Sequence, residues 1–204
     1  MKLTYKKGNK DKIHIMIDGE YKFTVDESYF VGLSLWQNKE IDEEELEELG
    51  EKVTVRRAYN HAVMFLSRRS HSEKELRFKL KQKGITEGVD EAIERLKYHG
   101  YIDDLAFAKS YAEELSAFKG FAKRRIILEL KEKGVSSDII NEALCDFDYD
   151  ETALADIIKR KYMRYLTDEK GVRKTVNALL RMGYSYSEIK TALKNISEEE
   201  FFDD

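Results

Sequence analysis

Apolar residues and glycines recur along this chain at intervals of 50 and 49 residues, and the recurrence predicts the architecture. Gly84 has a leucine four residues before it and an apolar residue directly after it, and the same arrangement surrounds Gly134 and Gly183. The other residues in register are Leu80, Leu130 and Leu179, then Ile85, Val135 and Tyr184, and the cations Lys74, Arg124 and Arg173. Repeats of this kind bury their apolar faces against neighbouring repeats. The pattern therefore predicts three tandem helical repeats.

Each repeat is predicted to contain three helices, because apolar residues follow helical spacing in three stretches. The first repeat covers residues 53–102, the second covers 103–148 and the third covers 149–197. The predicted helices lie near 53–68, 72–83 and 87–98, near 104–117, 121–133 and 136–145, and near 150–165, 169–182 and 186–195. An acidic tail over residues 198–204 is expected to be frayed.

Individual residues mark helix ends and the core. The segments 72–75 and 185–188 both read Ser-x-x-Glu, which is the capping-box pattern. Asp103 or Asp104 is expected to cap the first helix of the second repeat. Aromatic residues at helical spacing are predicted to lie in the core, namely Tyr98, Tyr101, Phe107 and Tyr111, and core packing is also favoured for Tyr162 and Tyr165.

Residues 1–52 carry a different pattern and predict a small β-rich domain. Two β-prone runs, 12–17 and 21–25, flank Asp18-Gly19, which favours a hairpin with a type I′ turn, and residues 3–5 predict a third strand. Asp26 is expected to cap a short helix, and Asp42 is expected to begin an acidic helix. The predicted fold class is therefore mainly α, with a small amino-terminal β-hairpin or sheet and one or two helices before the repeats.

Composition indicates a soluble cytoplasmic protein with a protein partner. Charged residues make up 37% of the 204 residues and proline is absent, which suits long solvated helices. The one cysteine, Cys145, favours a reducing cytosol and is expected to be a packed thiol. No secretory or membrane-spanning apolar run is present in the sequence. The net charge is −4 overall but +5 over residues 56–102, so the basic surface is local, unlike that of a stand-alone DNA-binding domain.

Catalytic chemistry has no support in the sequence. The four histidines are scattered without a second ligand at metal spacing, and neither of the glycine-rich phosphate-binding loops is present. We therefore expect a protein without catalytic residues, metal or cofactor.

Clusters of cations are the candidate partner-binding residues. Three of them, Lys123, Arg124 and Arg125, open the second helix of the second repeat, where positive charge opposes the helix dipole. Cations at a helix amino end suit phosphates or carboxylates. The complete predicted set is Arg68, Arg69, Lys74, Lys119, Lys123, Arg124, Arg125, Arg173 and Lys174. The alternative is that these side chains are solvated and paired with nearby glutamates.

Several short motifs occur together in this chain: Arg69-Ser70 with Glu75-Leu76, Leu80-x-x-Lys83-Gly84, Gly100-Tyr101-Ile102-Asp103-Asp104-x-x-Phe107-Ala108, Gly120 to Ile126, Glu129-Leu130 and Lys133-Gly134-Val135. These motifs together resemble the RecX family of recombination regulators. The resemblance covers roughly residues 56–195, and residues 1–52 resemble the extension found in the Gram-positive form. Its third repeat matches least, since Met182-Gly183-Tyr184 replaces Lys-Gly-apolar.

This resemblance implies a non-enzymatic regulator of the RecA recombinase, acting in DNA repair, homologous recombination and the SOS response. It implies a curved rod of three-helix repeats that binds the RecA filament on single-stranded DNA and limits its growth and activities. We expect a monomer that touches single-stranded DNA, if at all, through the basic clusters, with no membrane partner. Two alternatives stay open from the residues alone, an independent nucleic-acid-binding repeat protein and a helical scaffold unrelated to recombination.

Overall fold

The structure is a computed structural model that describes residues 1–147 and 152–200. Two compact units are present. The first comprises Met1–Arg69 and Leu76–Ile102, and the second combines Ser70–Glu75 with the described residues from Asp103 onward. None of the described helices has the length and apolar composition needed to cross a bilayer.

A four-stranded antiparallel sheet opens the first unit, in the order β3-β2-β1-β4. Its strands are β1 (Lys2–Lys7), β2 (Lys12–Ile17), β3 (Glu20–Asp26) and β4 (Lys39–Glu40). Asp18 and Gly19 both have positive φ, +48° and +86°, which confirms the predicted type I′ turn. The third strand is confirmed as β1, whereas the two-residue β4 was not predicted. One face of the sheet buries Leu3, Ile13, Ile15, Ile17 and Val25.

Helix α1 (Glu27–Gly32) lies between β3 and β4 along the chain, and helix α2 (Glu43–Leu66) follows β4. Asp42 caps α2 through a complete capping box with Glu45, as its position predicted. Asp26 occupies the cap position of α1, but its side chain makes no capping hydrogen bond, so that prediction is wrong in its chemistry. The carboxylate of Asp26 binds Lys12 and Asn60 instead.

Helix α2 joins two helices that the sequence predicted separately. It continues through Gly50, which faces β3, where an added Cβ would lie 3.4 Å from Phe23 Cζ. The proposed domain boundary between residues 52 and 53 lies inside this helix, and the division into domains stays a prediction.

The repeats supply the remaining helices within the described residues. The first repeat contributes α3 (Glu73–Gln82) and α4 (Val89–Tyr98), and the second contributes α5 (Asp104–Glu114), α6 (Lys123–Glu132) and α7 (Ser137–Ala143). The third contributes α8 (Ala153–Ile157), α9 (Glu169–Arg181) and α10 (Tyr186–Glu200). The predicted mainly helical fold with a small amino-terminal sheet is therefore confirmed.

Two short π-helical turns distinguish the first helices of repeats two and three. One runs from Leu115 to Lys119 after α5, and the other runs from Ile158 to Tyr162 after α8, followed by a 3₁₀ turn at Met163–Tyr165. The helix predicted at 150–165 is therefore divided. Its first two residues, the predicted repeat boundary at 148/149 and residues 201–204 of the acidic tail lie outside the described residues.

The second helix of every repeat, α3, α6 and α9, ends in the same hydrogen-bond pattern. Ile85 donates its backbone N–H to the carbonyl of Leu80, with equivalent bonds from Val135 to Leu130 and from Tyr184 to Leu179. Glycine with positive φ precedes each donor, as the Schellman motif requires. Leu80, Leu130 and Leu179 are fully buried, which confirms the predicted register.

Asp103 and Asp104 cap different helices. Asp103 Oδ1 accepts a hydrogen bond from the Ala106 N–H at 2.9 Å and so caps α5. Asp104 Oδ1 accepts a hydrogen bond from the Glu73 N–H at 3.0 Å, at the amino end of α3. The adjacent carboxylates are therefore structural.

Several core predictions are wrong. Tyr98 is 88% exposed and Tyr101 is also exposed, because Leu96 and Ile102 are the residues here that face the core. Tyr165 is exposed and lies under the guanidinium of Arg164, whereas Tyr162 packs against the third-repeat core as expected. Phe107 is buried and Tyr111 packs beside it, as predicted. The thiol of Cys145 is exposed, not packed.

Candidate partner-binding surface

Helix α6 begins with three cations, as the sequence predicted. Lys123, Arg124 and Arg125 are its first three residues, and the cap residue Ala122 has no side chain that could bond the free N–H groups. Lys123 and Arg124 are exposed, whereas Arg125 is half-buried. The three cations therefore differ in their surroundings.

Within the second unit, the amino end of α6 meets the carboxyl end of α9. The N–H of Ala122 donates to the carbonyl of Met182 at 2.9 Å, and the Tyr184 hydroxyl donates to the Gly120 carbonyl at 3.0 Å. A Cβ on Gly183 would lie 2.8 Å from the backbone nitrogen of Arg125, so only glycine fits there without a shift. We call this contact the α6–α9 joint.

The segment before and within the first turn of α3 makes an equivalent contact with α6, also within the second unit. Ser72 Oγ donates to the Lys133 carbonyl at 2.6 Å, and Lys74 Nζ donates to the Glu132 carbonyl at 3.5 Å. Ser72 and Ala122 are 50 residues apart, and Lys133 and Met182 are 49 apart, so the two joints use equivalent positions. In each joint, a residue just before the start of one second helix donates a hydrogen bond to a backbone carbonyl at the end of the second helix of the next repeat. Such terminal carbonyls have no partner within their own helix.

The α6–α9 joint changes the electrostatic environment of the cations at the start of α6. The amino end of α6 alone disfavours positive charge, but the carbonyls at the end of α9 carry partial negative charge beside it. Arg125 also forms an ion pair with Glu129 at 2.5 Å and lies over the ring of Phe121. The alternative left open by the sequence, a cation paired with a nearby glutamate, therefore describes Arg125. Lys74 likewise has a structural contact.

A polar network of buried and half-buried side chains supports the α3–α6 joint. Lys133 Nζ lies 2.5 Å from Glu75 Oε1, and His71 Nδ1 lies 3.3 Å from the other carboxylate oxygen. The ammonium of Lys133 also lies 5.5 Å from the ring centroid of Tyr111. Burial raises the pKa of Tyr111, so its hydroxyl stays protonated at neutral pH. This cluster links the first turn of α3 to α6 within the second unit.

The second helices also present a matching exposed face. At positions one turn apart, α3 exposes Lys74, Phe78 and Lys81, and α6 exposes Arg124, Leu128 and Lys131. Phe78 is 61% exposed and Leu128 is 52% exposed, although both are large apolar side chains. Their i, i+4, i+7 spacing places each set on one face of its helix. The register continues in α9 with Arg173, Asn177 and Leu180, which are exposed. We call the three-residue face on each of these helices, nine residues in all, the exposed stripe.

The other predicted cations differ in their surroundings. Lys119 and Arg125 both lie 5.6 Å from the ring centroid of Phe121 and so are brought together. Arg68 and Arg69 are exposed in the connection between α2 and α3. Arg173 and Lys174 are exposed in the second turn of α9, so they do not open that helix.

Six stripe residues escaped the sequence prediction, namely Phe78, Lys81, Leu128, Lys131, Asn177 and Leu180. The signal was available, because Phe78 and Leu128 occupy equivalent positions, as do Lys81 and Lys131. Helical spacing alone does not say whether an apolar residue faces the core or solvent. Only the structure shows that Phe78 and Leu128 face outward.

Comparison with known proteins shows the same two repeats. The family model for "RecX, second three-helix domain" matches residues 103–144, and the one for "RecX, first three-helix domain" matches residues 58–96. The "Regulatory protein RecX" of Bacillus velezensis is 35% identical over 97% of this chain and 77% of its own length. That of Caldanaerobacter subterraneus is 31% identical over 92% of this chain and 95% of its own length.

Solved structures agree with the sequence comparisons. The crystal structure of a regulatory protein RecX superposes with a TM-score of 0.70 at 24% identity, covering 94% of this chain and 97% of the other. The structure of RecX from Lactobacillus salivarius gives a TM-score of 0.59 at 26% identity, covering 71% of this chain and 97% of the other. With its repeats, caps and extended matches to these relatives, the chain belongs to the RecX family of regulatory proteins.

Proposed function

We propose that this chain is a non-enzymatic modulator of the RecA recombinase. It binds the RecA filament on single-stranded DNA and limits the growth and activities of that filament. The single observation that supports this proposal best is the exposed stripe, a cationic and apolar pattern repeated on α3 and α6 and continued in part on α9.

The repetition suits a polymeric partner. A helical filament presents the same surface at regular intervals, so a chain with repeated stripes contacts more than one protomer at a time. Linked contacts that are weak individually then give tight binding, because each later contact is intramolecular. A curved rod of three-helix repeats, as the family resemblance implies, would carry such contacts along the filament groove.

The chemistry of the stripe favours a protein surface. Phe78 and Leu128 would each bury exposed apolar area against an apolar partner surface. Nucleic-acid phosphates provide no such surface. The flanking cations Lys74, Lys81, Arg124 and Lys131 suit carboxylates on the partner. Single-stranded DNA would be contacted secondarily through the basic clusters, by a monomeric protein acting in the cytoplasm.

A second function, stand-alone nucleic-acid binding, is favoured by the same cations taken alone. Their i, i+7 spacing on a helix also suits phosphates, and base-independent binding needs little else. Against it stands the net charge of −4. The two functions differ in what the apolar residues do, since phosphate binding does not need Leu128.

Binding to preassembled RecA filaments tests the proposal. We expect Leu128→Ala to weaken binding to the filament without changing the binding of naked single-stranded DNA. Arg124→Gln with Lys131→Gln should weaken filament binding and make the remaining binding less dependent on salt. The matched control is Lys109→Gln with Lys190→Gln, which removes two exposed cations outside the stripe. If the control variant loses as much affinity as the stripe variant, binding depends on total charge and the stripe proposal fails.

A further inference from the structure

A small pocket lies in the first unit, between the sheet and α2. Its volume is about 140 Å³, and it is lined by β2 and β3 on one side and by α2 on the other. At about 30 Å³ per water molecule, the space would hold four or five waters, which suits a phosphoryl-sized group but not a nucleoside or a peptide. The polar lining consists of Lys12, Thr24, Asp26, Arg56, Arg57, Asn60 and His61.

The one carboxylate in the pocket is already matched. Asp26 forms an ion pair with Lys12 and accepts a hydrogen bond from Asn60 Nδ2 at 2.7 Å. The hydrogen bond from Lys12 is the main cause of the lowered pKa of Asp26, so the group remains a carboxylate at neutral pH. Asp26 also interacts with the charge of Arg56, so this one carboxylate faces the three cations Lys12, Arg56 and Arg57, and the lining keeps an excess of two positive charges.

Two buried nitrogen atoms of the lining residues have no partner among the described residues. They are Nε of Arg56 and Nδ1 of His61. Buried polar atoms are nearly always hydrogen-bonded, so each such exception calls for an explanation. The guanidinium of Arg56 is also held in place, with its Cζ 4.9 Å from the ring centroid of Tyr29 and 5.9 Å from that of Tyr59.

We propose that this pocket binds a terminal phosphoryl group, carried by inorganic phosphate or by a phosphate monoester. Arg56 and Arg57 carry two positive charges, and a phosphate monoester carries about −1.5 to −2 at neutral pH. A carboxylate or a phosphodiester would balance only one of them. Arginine also suits a tetrahedral oxyanion because its N–H groups bind two oxygens at once, and His61 supplies a further nitrogen. The inference does not depend on the proposed action on RecA.

Titration of the full chain with inorganic phosphate, followed by ³¹P NMR and by thermal unfolding at constant ionic strength, tests the site. We expect saturable binding and a rise in melting temperature with phosphate, because a ligand of the folded state stabilises it. Arg57→Gln should weaken phosphate binding by about tenfold or more, the expected effect of losing one charged hydrogen-bond donor. Arg57 is exposed on α2, so this variant keeps the test interpretable if Arg56→Gln fails to fold.

The matched control is Lys6→Gln, which removes an exposed cation of β1 outside the pocket and should leave phosphate binding unchanged. Oligodeoxynucleotides with a 5′-phosphate or a 5′-hydroxyl distinguish the sources of the group. A preference for the 5′-phosphate that Arg57→Gln removes identifies a strand end, and binding of phosphate alone identifies the free anion. Absence of saturable binding to both probes, or equal binding by Arg57→Gln and Lys6→Gln, would overturn the proposal.

Discussion

Replacing Gly183 by alanine tests the α6–α9 joint most sharply. The glycine has φ of +97°, and an added Cβ would lie 2.7 Å from Arg125 Cβ and 2.8 Å from its backbone nitrogen. Because backbone atoms cannot move aside without displacing α6, the substitution should separate the two helix ends. The Ala122–Met182 hydrogen bond, 2.9 Å in the wild-type chain, would lengthen or break.

The expected cost has two parts. A side chain in the left-handed region costs about 1–2 kcal/mol, and forcing a methyl group into a packed contact adds about 1–3 kcal/mol. Gly84→Ala is the matched control, because Gly84 has φ of +71° in the same type of helix end but nothing within 4 Å of the added Cβ. It should show only the first part.

Urea denaturation followed by far-ultraviolet circular dichroism measures both variants against the wild-type chain. Gly183→Ala should lower the unfolding free energy by about 2–5 kcal/mol and Gly84→Ala by about 1–2 kcal/mol. A lower m-value for Gly183→Ala would indicate that the third repeat unfolds separately. Equal losses for the two glycines would refute the view that α6 and α9 are in close contact.

Three further predictions concern burial, charge and pH. Leu130→Ala should lower the free energy of unfolding by about 2–5 kcal/mol in the same denaturation assay, because Leu130 is fully buried. Leu128→Ala, two residues away and exposed, should lower it little. A comparable loss in both variants would contradict the assigned faces of α6. Arg125→Gln should destabilise the chain and Arg124→Gln should not, since only Arg125 pairs with Glu129; thermal unfolding of both variants decides this. The stabilisation from the lowered pKa of Asp26 is present above the ordinary value of 3.8 and is lost as pH falls through the folded-state pKa. Acid titration of Asp26→Asn should therefore show lower stability at neutral pH but a smaller loss below pH 3.8 than the wild-type chain shows.

The repeat register was predictable because a local rule determines it. A helix that ends in a Schellman motif needs a glycine in the left-handed region and an apolar residue after it, with a buried partner at the leucine position. That requirement produced the columns at Gly84, Gly134 and Gly183, and the structure confirms the buried leucines. The capping box at Ser185 is confirmed for the same reason, since its hydrogen bonds join residues three apart.

The joints and the exposed stripe could not be predicted from local sequence patterns. Ser72 and Lys133 are 61 residues apart, and no pattern in either segment signals that a serine hydroxyl meets a helix carbonyl there. Asp103 and Asp104 were equivalent as caps in the sequence, and only tertiary placement assigns Asp104 to α3. Helical spacing placed Tyr98 and Tyr101 in the predicted core, yet both are exposed, because spacing alone does not say whether a face meets the core or solvent.

The rate of ATP hydrolysis by RecA on single-stranded DNA tests the central claim most directly. RecA is first assembled on the DNA, and then the wild-type chain or the variant with Arg124→Gln, Leu128→Ala and Lys131→Gln is titrated in. We expect the wild-type chain to lower the rate at less than one chain per RecA protomer, because each chain acts on a filament and not on a single protomer. The triple variant should be folded and should need a several-fold higher concentration. An unchanged rate at every concentration of the wild-type chain, or equal inhibition by the folded triple variant, would contradict the account.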